Sequence, residues 1–413
     1  MGATLFKNIR ELVNVRTQNE LLRGAALAHL PVIKNAWLLV EDNHIADYGA
    51  MDAIPPKLSS TNNSIDLTGR LVLPAWCDSH THLVFAATRE DEFVDKIKGL
   101  TYAEIAAKGG GILNSAARLR DASDDELFRS AWKRLEQISR MGTGAVEIKS
   151  GYGLSTEAEV KMLRVIKKLK DKSNLLIKST FLGAHAYPVQ FRNDHQGYIK
   201  MIVEEMLPKI GAEKLADYVD VFCEKDFFSP EETMQVCTAA KQYNLKVKLH
   251  ANQLHCSGGV ETGVALNALS VDHLESMDEH SIRTLSNSAT IGTLLPTAAL
   301  LLRMQYAPAR KLIESGAAIA LATDYNPGSS PSGNMNLVVA LSCIQMKMLP
   351  EEAINAATMN GAFAMEVHSQ AGSITKGKKA NLIITSAVNS IAYLPYSFGE
   401  NWIERVMING EFI

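Results

Sequence analysis

The sequence predicts an α/β fold: a (β/α)8 TIM barrel with a small β-sandwich-like domain formed by both termini. Three observations carry this reading. Short β-type runs alternate with stretches of helical spacing from residue 71 to residue 324. There are eight such runs, the number that a closed parallel barrel requires. Both ends of the chain are β-rich, and termini that lie close together can pair into one domain.

Taken in order, residues 1–68 hold short β-like pieces such as "AWLLVEDNHIADYG", broken by turn residues. The barrel runs are "LVLPAWCDSH", "TGAVEIKS", "LIKSTFLGAH", "YVDVFCE", "LKVKLHA", "LSVDHL", "ATIGTL" and "AAIALATD". Between them lie segments such as "EAEVKMLRVIKKLKD" and "PEETMQVCTAAKQYN", whose apolar residues recur at helical spacing. The tail from residue 371, "AGSITKGKKANLIITS", returns to the β pattern. The expected division is therefore 1–68 plus 371–413 for the composite β-rich domain and 69–370 for the barrel.

Composition narrows the function. The chain has 413 residues, 46% hydrophobic and 21% charged, as expected of a globular protein with a large core. A net charge of −3 from 42 basic and 45 acidic side chains argues against a nucleic-acid binder. The most basic stretch, "RVIKKLKDK", reads as the wet face of an amphipathic helix. No apolar run reaches membrane-spanning length, and the first residues do not read as a signal peptide. Five widely spaced cysteines without a C-x-x-C pair read as reduced thiols of a cytoplasmic protein.

The chemistry concentrates at the ends of the barrel runs. In "WCDSHTHLVF", alternation places Asp78, His80 and His82 on one face of the first strand. H-x-H alone is a weak signal, but other strand ends repeat it. "FLGAHAY" carries His185, "LKVKLHA" carries His250, "LSVDHLE" carries His273, and "AIALATD" ends in Asp324. Barrel enzymes keep their active sites at this rim. Imidazole nitrogens with a carboxylate oxygen suit Zn²⁺, Fe²⁺ or a similar ion, and an incomplete protein ligand set leaves room for water.

At these motifs the chain resembles the imidazolonepropionases, members of the amidohydrolase superfamily acting in histidine degradation. The resemblance spans nearly the whole chain through "DSHTHLVFAATREDEF", "LTYAEIAAKGGGI", "EIKSGYGLSTEAEVKML", "FLGAHAYP", "VDVFCE", "SVDHLE" and "LATDYNPGSSPSGNM". It implies one metal ion, Zn or Fe, held by His80, His82, His250 and Asp324, and a homodimer. It also implies substrate contacts at Arg89, Tyr102, Tyr152, His185, Gln253, Asn326, Gly328 and Ser329. The implied substrate is 4-imidazolone-5-propionate, a cyclic amide with a carboxylate tail that the planar fork of Arg89 suits. Asp324 is expected to take the proton of the attacking water, and His273 or His185 to stabilise the oxyanion. "NPGSS" is expected to present backbone N–H groups and hydroxyls to the ring or to the new carboxylate.

Two positions depart from the family pattern, and two further features bear on the metal count and the pocket. Gln253 stands where some relatives carry Glu, and an amide cannot exchange a proton at neutral pH. Ala75 replaces a glycine common in the superfamily. Lys149 invites comparison with the carbamylated lysine of two-metal relatives, but that lysine comes from the fourth strand, so one metal is expected. "KGGGI" lacks the Lys-Ser/Thr of a phosphate loop and reads as a cover near the pocket. Two alternatives stay open: a metal-dependent hydrolase or deaminase of another cyclic amide or nucleobase, and a metal-free scaffold.

Overall fold

The computed structural model describes residues 2–59, 63–100, 104, 108 and 110–413. Five strands open the chain: β1 (Thr4–Val13), β2 (Val32–Glu41), β3 (His44–Ala50), β4 (Ser64–Asp66) and β5 (Arg70–Pro74). The next four are β6 (Trp76–Thr81), β7 (Thr143–Lys149), β8 (Leu176–Ala184) and β9 (Tyr218–Cys223). They are followed by β10 (Lys246–Ala251), β11 (Ser270–His273), β12 (Ile291–Leu294) and β13 (Ile319–Leu321). β14 (Leu382–Ala387), β15 (Ile403–Ile408) and β16 (Glu411–Phe412) end the chain.

Strands β6 to β13 pair in parallel in chain order, as the alternating pattern predicts. The first and last strands meet just beyond their regular segments. His82 N donates to Tyr325 O at 2.9 Å, and Asp324 N donates to His80 O at 3.0 Å. Inside the seam, Asp78 accepts from Thr323 N and Thr323 Oγ1 at 3.0 and 2.6 Å. The barrel is therefore closed by the residues that carry the candidate chemistry.

Helices pack outside the barrel because their apolar faces need cover. The helix Thr156–Lys172 buries Val160, Leu163 and Ile166 while Arg164, Lys167 and Lys170 point outward, so the basic run is its wet face. Helices Asp124–Arg140 and Pro230–Lys241 start in capping boxes, Ser123 with Glu126 and Ser229 with Glu232, which satisfy otherwise orphaned N–H groups.

The two ends of the chain build a second eight-stranded sheet in the order β16-β15-β14-β5-β1-β2-β3, with β4 beside β1. It is mixed: β1 runs parallel to β4 and β5, and its other pairings are antiparallel. Phe6, Leu12, Leu38, Val72, Leu382 and Met407 share its core. One boundary differs from expectation. The run 71–80 is not one barrel strand: Arg70–Pro74 pair with β1 and β14, and the barrel strand begins at Trp76. Proline lacks a ladder donor and marks the break, and Ala75 N turns to Asn381 O at 2.9 Å. Among the described residues, no helix is long and apolar enough to cross a membrane.

Candidate metal and substrate site

The site forms where the chain leaves the barrel strands. His80 lies within β6 and His82 just past it; His250 lies in β10, and His273 ends β11. His185 and Asp324 follow β8 and β13. Several of these exits are strained. His273, Leu274 and Asp324 have φ of +88°, +69° and +54°, and Asn252 has +53°. Side chains pay for this left-handed backbone, which persists only where surrounding structure imposes it. Barrel hydrogen bonds such as Asp324 N to His80 O impose it here.

Ligating atoms of His80, His82 and His250 all lie within 4.8 Å of one another, as do those of His80, His273 and Asp324. The Nε2 atoms of His80 and His82 each stand 3.5 Å from Asp324 Oδ1. The other nitrogens explain the orientation of two rings. His80 Nδ1 bonds Asp272 Oδ2 at 2.7 Å, and His250 Nδ1 bonds Asp220 Oδ2 at 3.0 Å. A carboxylate only accepts, so each Nδ1 carries the hydrogen, and Nε2 is the nitrogen that either ring can offer as a ligand. His80 Nε2 is buried without a hydrogen-bond partner. An orphaned lone pair, neighbouring imidazoles and a carboxylate, backed by carboxylate–histidine pairs, fit a divalent cation.

Electrostatics agree with that donor set. Burial, the Lys149 ammonium and the neighbouring imidazoles hold His80 well below the usual histidine range. Burial, His185 and His250 do the same for His82. Neutral imidazole is the form that ligates. Burial lowers His185 to about 3, with His250 adding to the effect. Burial also works against a charged His273, but Glu275, 3.5 Å from its Nδ1, outweighs this with Asp324 and Asp272 and raises it. Asp324 is raised by burial against the pull of His273 and His250.

Above these groups opens a cavity of about 800 Å³. His82, His250, His273 and Asp324 line it, with Arg89, Tyr152, His185, Gln253, Asn326, Gly328 and Ser329. His80 lies beneath, fully buried. Tyr102 lies outside the described residues. The "KGGGI" run is only partly described; Gly111 N donates to Glu92 Oε1 at 2.9 Å.

The "SGYGL" loop is wrapped around one buried carboxylate. Glu159 accepts from the backbone N–H groups of Gly151, Gly153 and Leu154 at 2.9, 2.7 and 2.9 Å. Gly151 has φ +111°, which favours glycine, and the loop sets Tyr152 against both His82 and His185. His185 Nδ1 in turn sits 3.0 Å from Gly151 O.

The "NPGSS" loop departs from expectation. The N–H groups of Gly328 and Ser329 both donate to Asn326 Oδ1 at 2.8 Å rather than to the cavity. Asn326 Nδ2 donates to Asp324 O and Ser329 Oγ at 2.6 and 2.7 Å, and Ser329 Oγ reaches Asp324 Oδ2 at 3.2 Å. An asparagine side chain closes its own turn, and the loop buttresses Asp324. Arg89 pairs with Glu92, not with its sequence neighbours, at 2.5 Å, and its Nε is buried without a partner.

Lys149 carries no sign of a metal-bridging role. Its ammonium contacts Glu147 Oε1 at 2.6 Å and Asp220 Oδ2 at 2.8 Å, fully buried. Sequence reasoning missed Asp220, Asp272 and Glu275, the carboxylates behind the imidazoles. For the two aspartates the available signal was charge inside apolar strands, in "VDVF" and "SVDH", where only an inward-facing partner makes it tolerable; Glu275, past the end of its strand, gave none.

The model of the amidohydrolase family matches residues 71–413, which sets the class of protein. The fold is also that of the guanine deaminase from C. acetobutylicum solved with bound guanine, with a TM-score of 0.71 over 100% of both chains at 15% identity. Closer in sequence is the imidazolonepropionase of Christiangramia forsetii, 54% identical over 99% of each chain. That of Flavobacterium johnsoniae is 55% identical over 99% of this chain and 100% of its own. The chain belongs to the imidazolonepropionases of the amidohydrolase family.

Proposed function

We propose that the protein hydrolyses the ring amide C–N bond of 4-imidazolone-5-propionate, giving N-formimino-L-glutamate in histidine degradation. The observation that carries this is the gathering of imidazole and carboxylate donors at one point beneath a cavity edged by Arg89. The relatives' shared name supplies the substrate.

Members of the amidohydrolase family depend on a metal, and the donors here fit one ion, Zn or Fe, on His80, His82, His250 and Asp324. When bound, such an ion polarises the carbonyl and acidifies water. The chain's own residues do the rest. The Arg89 guanidinium, at the edge of the cavity, takes the propionate carboxylate and fixes the distance of the ring from Asp324. Tyr152 and His185 bound the ring on one side, and the Gln253 amide matches its N–H and C=O groups. Asp324, steadied by Ser329 Oγ, accepts the proton of the attacking water. His273 faces the oxygen on which negative charge develops. The proton passes to the leaving ring nitrogen as the C–N bond breaks, so water is added across the amide without another acid at position 253.

The same reading makes the protein cytoplasmic, which suits its five unpaired cysteines, and a homodimer by the family resemblance. The test follows loss of 4-imidazolone-5-propionate by ultraviolet absorbance. Loss that stops on chelation and returns with zinc or iron is expected. A protein holding one metal per chain that leaves this substrate untouched would overturn the substrate assignment.

A further inference from the structure

We infer that Lys149 is a positioning residue for the metal centre: its single ammonium ties together the two aspartates that aim His250 and His80. The inference rests on the proposed metal site and concerns the groups beneath it.

Lys149, Asp220 and Asp272 project inward from β7, β9 and β11, alternate strands of the barrel, and so meet in one interior layer. Lys149 Nζ donates to Asp220 Oδ2 at 2.8 Å and stands 3.6 Å from Asp272 Oδ2. These are the very oxygens that face the ligand imidazoles: Asp220 Oδ2 lies 3.0 Å from His250 Nδ1, and Asp272 Oδ2 lies 2.7 Å from His80 Nδ1. The second oxygen of each carboxylate is also occupied. His250 N donates to Asp220 Oδ1 at 3.0 Å, and Ser270 Oγ donates to Asp272 Oδ1 at 2.6 Å. Neither carboxylate can turn without breaking a bond, and the lysine is the one group that both share.

The layer below anchors the lysine. Glu147 Oε1 accepts from Lys149 Nζ and from Thr180 Oγ1, both at 2.6 Å, and Glu147 Oε2 pairs with Lys248. Lys248 Nζ is held in turn by Ser79 O at 3.0 Å. All of Glu147, Lys149, Asp220, Lys248 and Asp272 are fully buried. Two ammonium groups therefore stand against three carboxylates in a fully buried column, and the uncompensated negative charge lies toward the imidazoles, where a cation would neutralise it. Beyond its anchor on Glu147, the lysine is placed between the two carboxylates that carry ligands.

The test titrates zinc alone, against a competing chelator, into stripped full-length protein. Wild type is compared with Lys149→Met, Asp272→Asn and the double variant. Lys149→Met is expected to bind zinc about 10- to 100-fold more weakly, the usual cost of losing support behind a ligand. The double variant should lose much less than the product of the single losses, because Lys149 acts through Asp272. Folding is followed by circular dichroism, and if Lys149→Met does not fold, Lys149→Gln takes its place. Unchanged zinc affinity in a folded variant, or losses that simply multiply, would overturn the inference; so would failure of both variants to fold, which would make the lysine a requirement of the barrel itself. Wild type that binds no zinc in this titration, and no iron in a parallel one, would instead sink the proposed metal site.

Discussion

His80 Nδ1 lies 2.7 Å from Asp272 Oδ2, with both side chains fully buried and 192 residues apart in the chain. That contact sets the tautomer of the first ligand, because an imidazole whose Nδ1 hydrogen is committed can offer only Nε2 to a metal. Asp272→Asn keeps the shape and can present its NH2 to the ring instead, which favours the wrong tautomer. Zinc affinity should fall about 10- to 100-fold while the metal-free protein still folds and unfolds cooperatively. Chelator competition and thermal unfolding measure the two quantities on one preparation.

Asp324 is the proton acceptor in the proposed reaction. Asp324→Asn should lower turnover by roughly 10²–10⁴-fold, with zinc still bound by three imidazoles and the propionate tail still held by Arg89. Substrate loss under ultraviolet light, set beside metal content, tests this. Normal turnover in the variant would assign the proton to another group.

Arg89 and Gly328 are a matched pair. A Cβ at position 328 would run into Arg89 Nη1, so Gly328→Ala must push the guanidinium aside. Hydrogen bonds to a charged group contribute about 1.5–3 kcal/mol, so Arg89→Ala should raise KM roughly tenfold to a hundredfold. Gly328→Ala should move KM in the same direction with little change in stability. Steady-state kinetics with the intact substrate and with one lacking the carboxylate separates tail binding from a general loss of activity, since only the intact substrate should respond.

Lys378 gives a pH dependence remote from the chemistry. Its ammonium is buried, donating to Ala371 O at 2.7 Å and Ser373 Oγ at 2.8 Å. Burial pulls it from 10.5 down to about 8, with Cys77 working against that shift. Between those two values the unfolded chain holds a proton that the folded chain has released. Stability from this group therefore rises with pH through the window from about 8 to 10.5. Urea unfolding across that window should show the wild type gaining on Lys378→Met as pH rises; parallel curves would contradict it.

Local pattern was enough to read the barrel. Seven of the eight strand runs lie where alternation of apolar runs and helical spacing placed them, and the eighth begins only at Trp76, because that periodicity is a property of each segment by itself. The rim histidines and Asp324 were legible for a related reason: polar groups that end apolar strands mark the one rim where such groups can meet. What the sequence by itself determined is thus the fold, the family resemblance and the chemistry of the rim.

Tertiary structure decided the rest. It split the run 71–80 between two sheets, since only the partners on β1 and β14 reveal that Arg70–Pro74 leave the barrel. It turned the N–H groups of Gly328 and Ser329 to Asn326, a closure set by side-chain geometry that a turn motif does not record. It also brought Lys149, Asp220 and Asp272 together from positions up to 123 residues apart. Each of these three reads in sequence as an isolated charge within an apolar strand. Closure of the barrel points all three at one axis, and removal of water there makes each charge depend on the others.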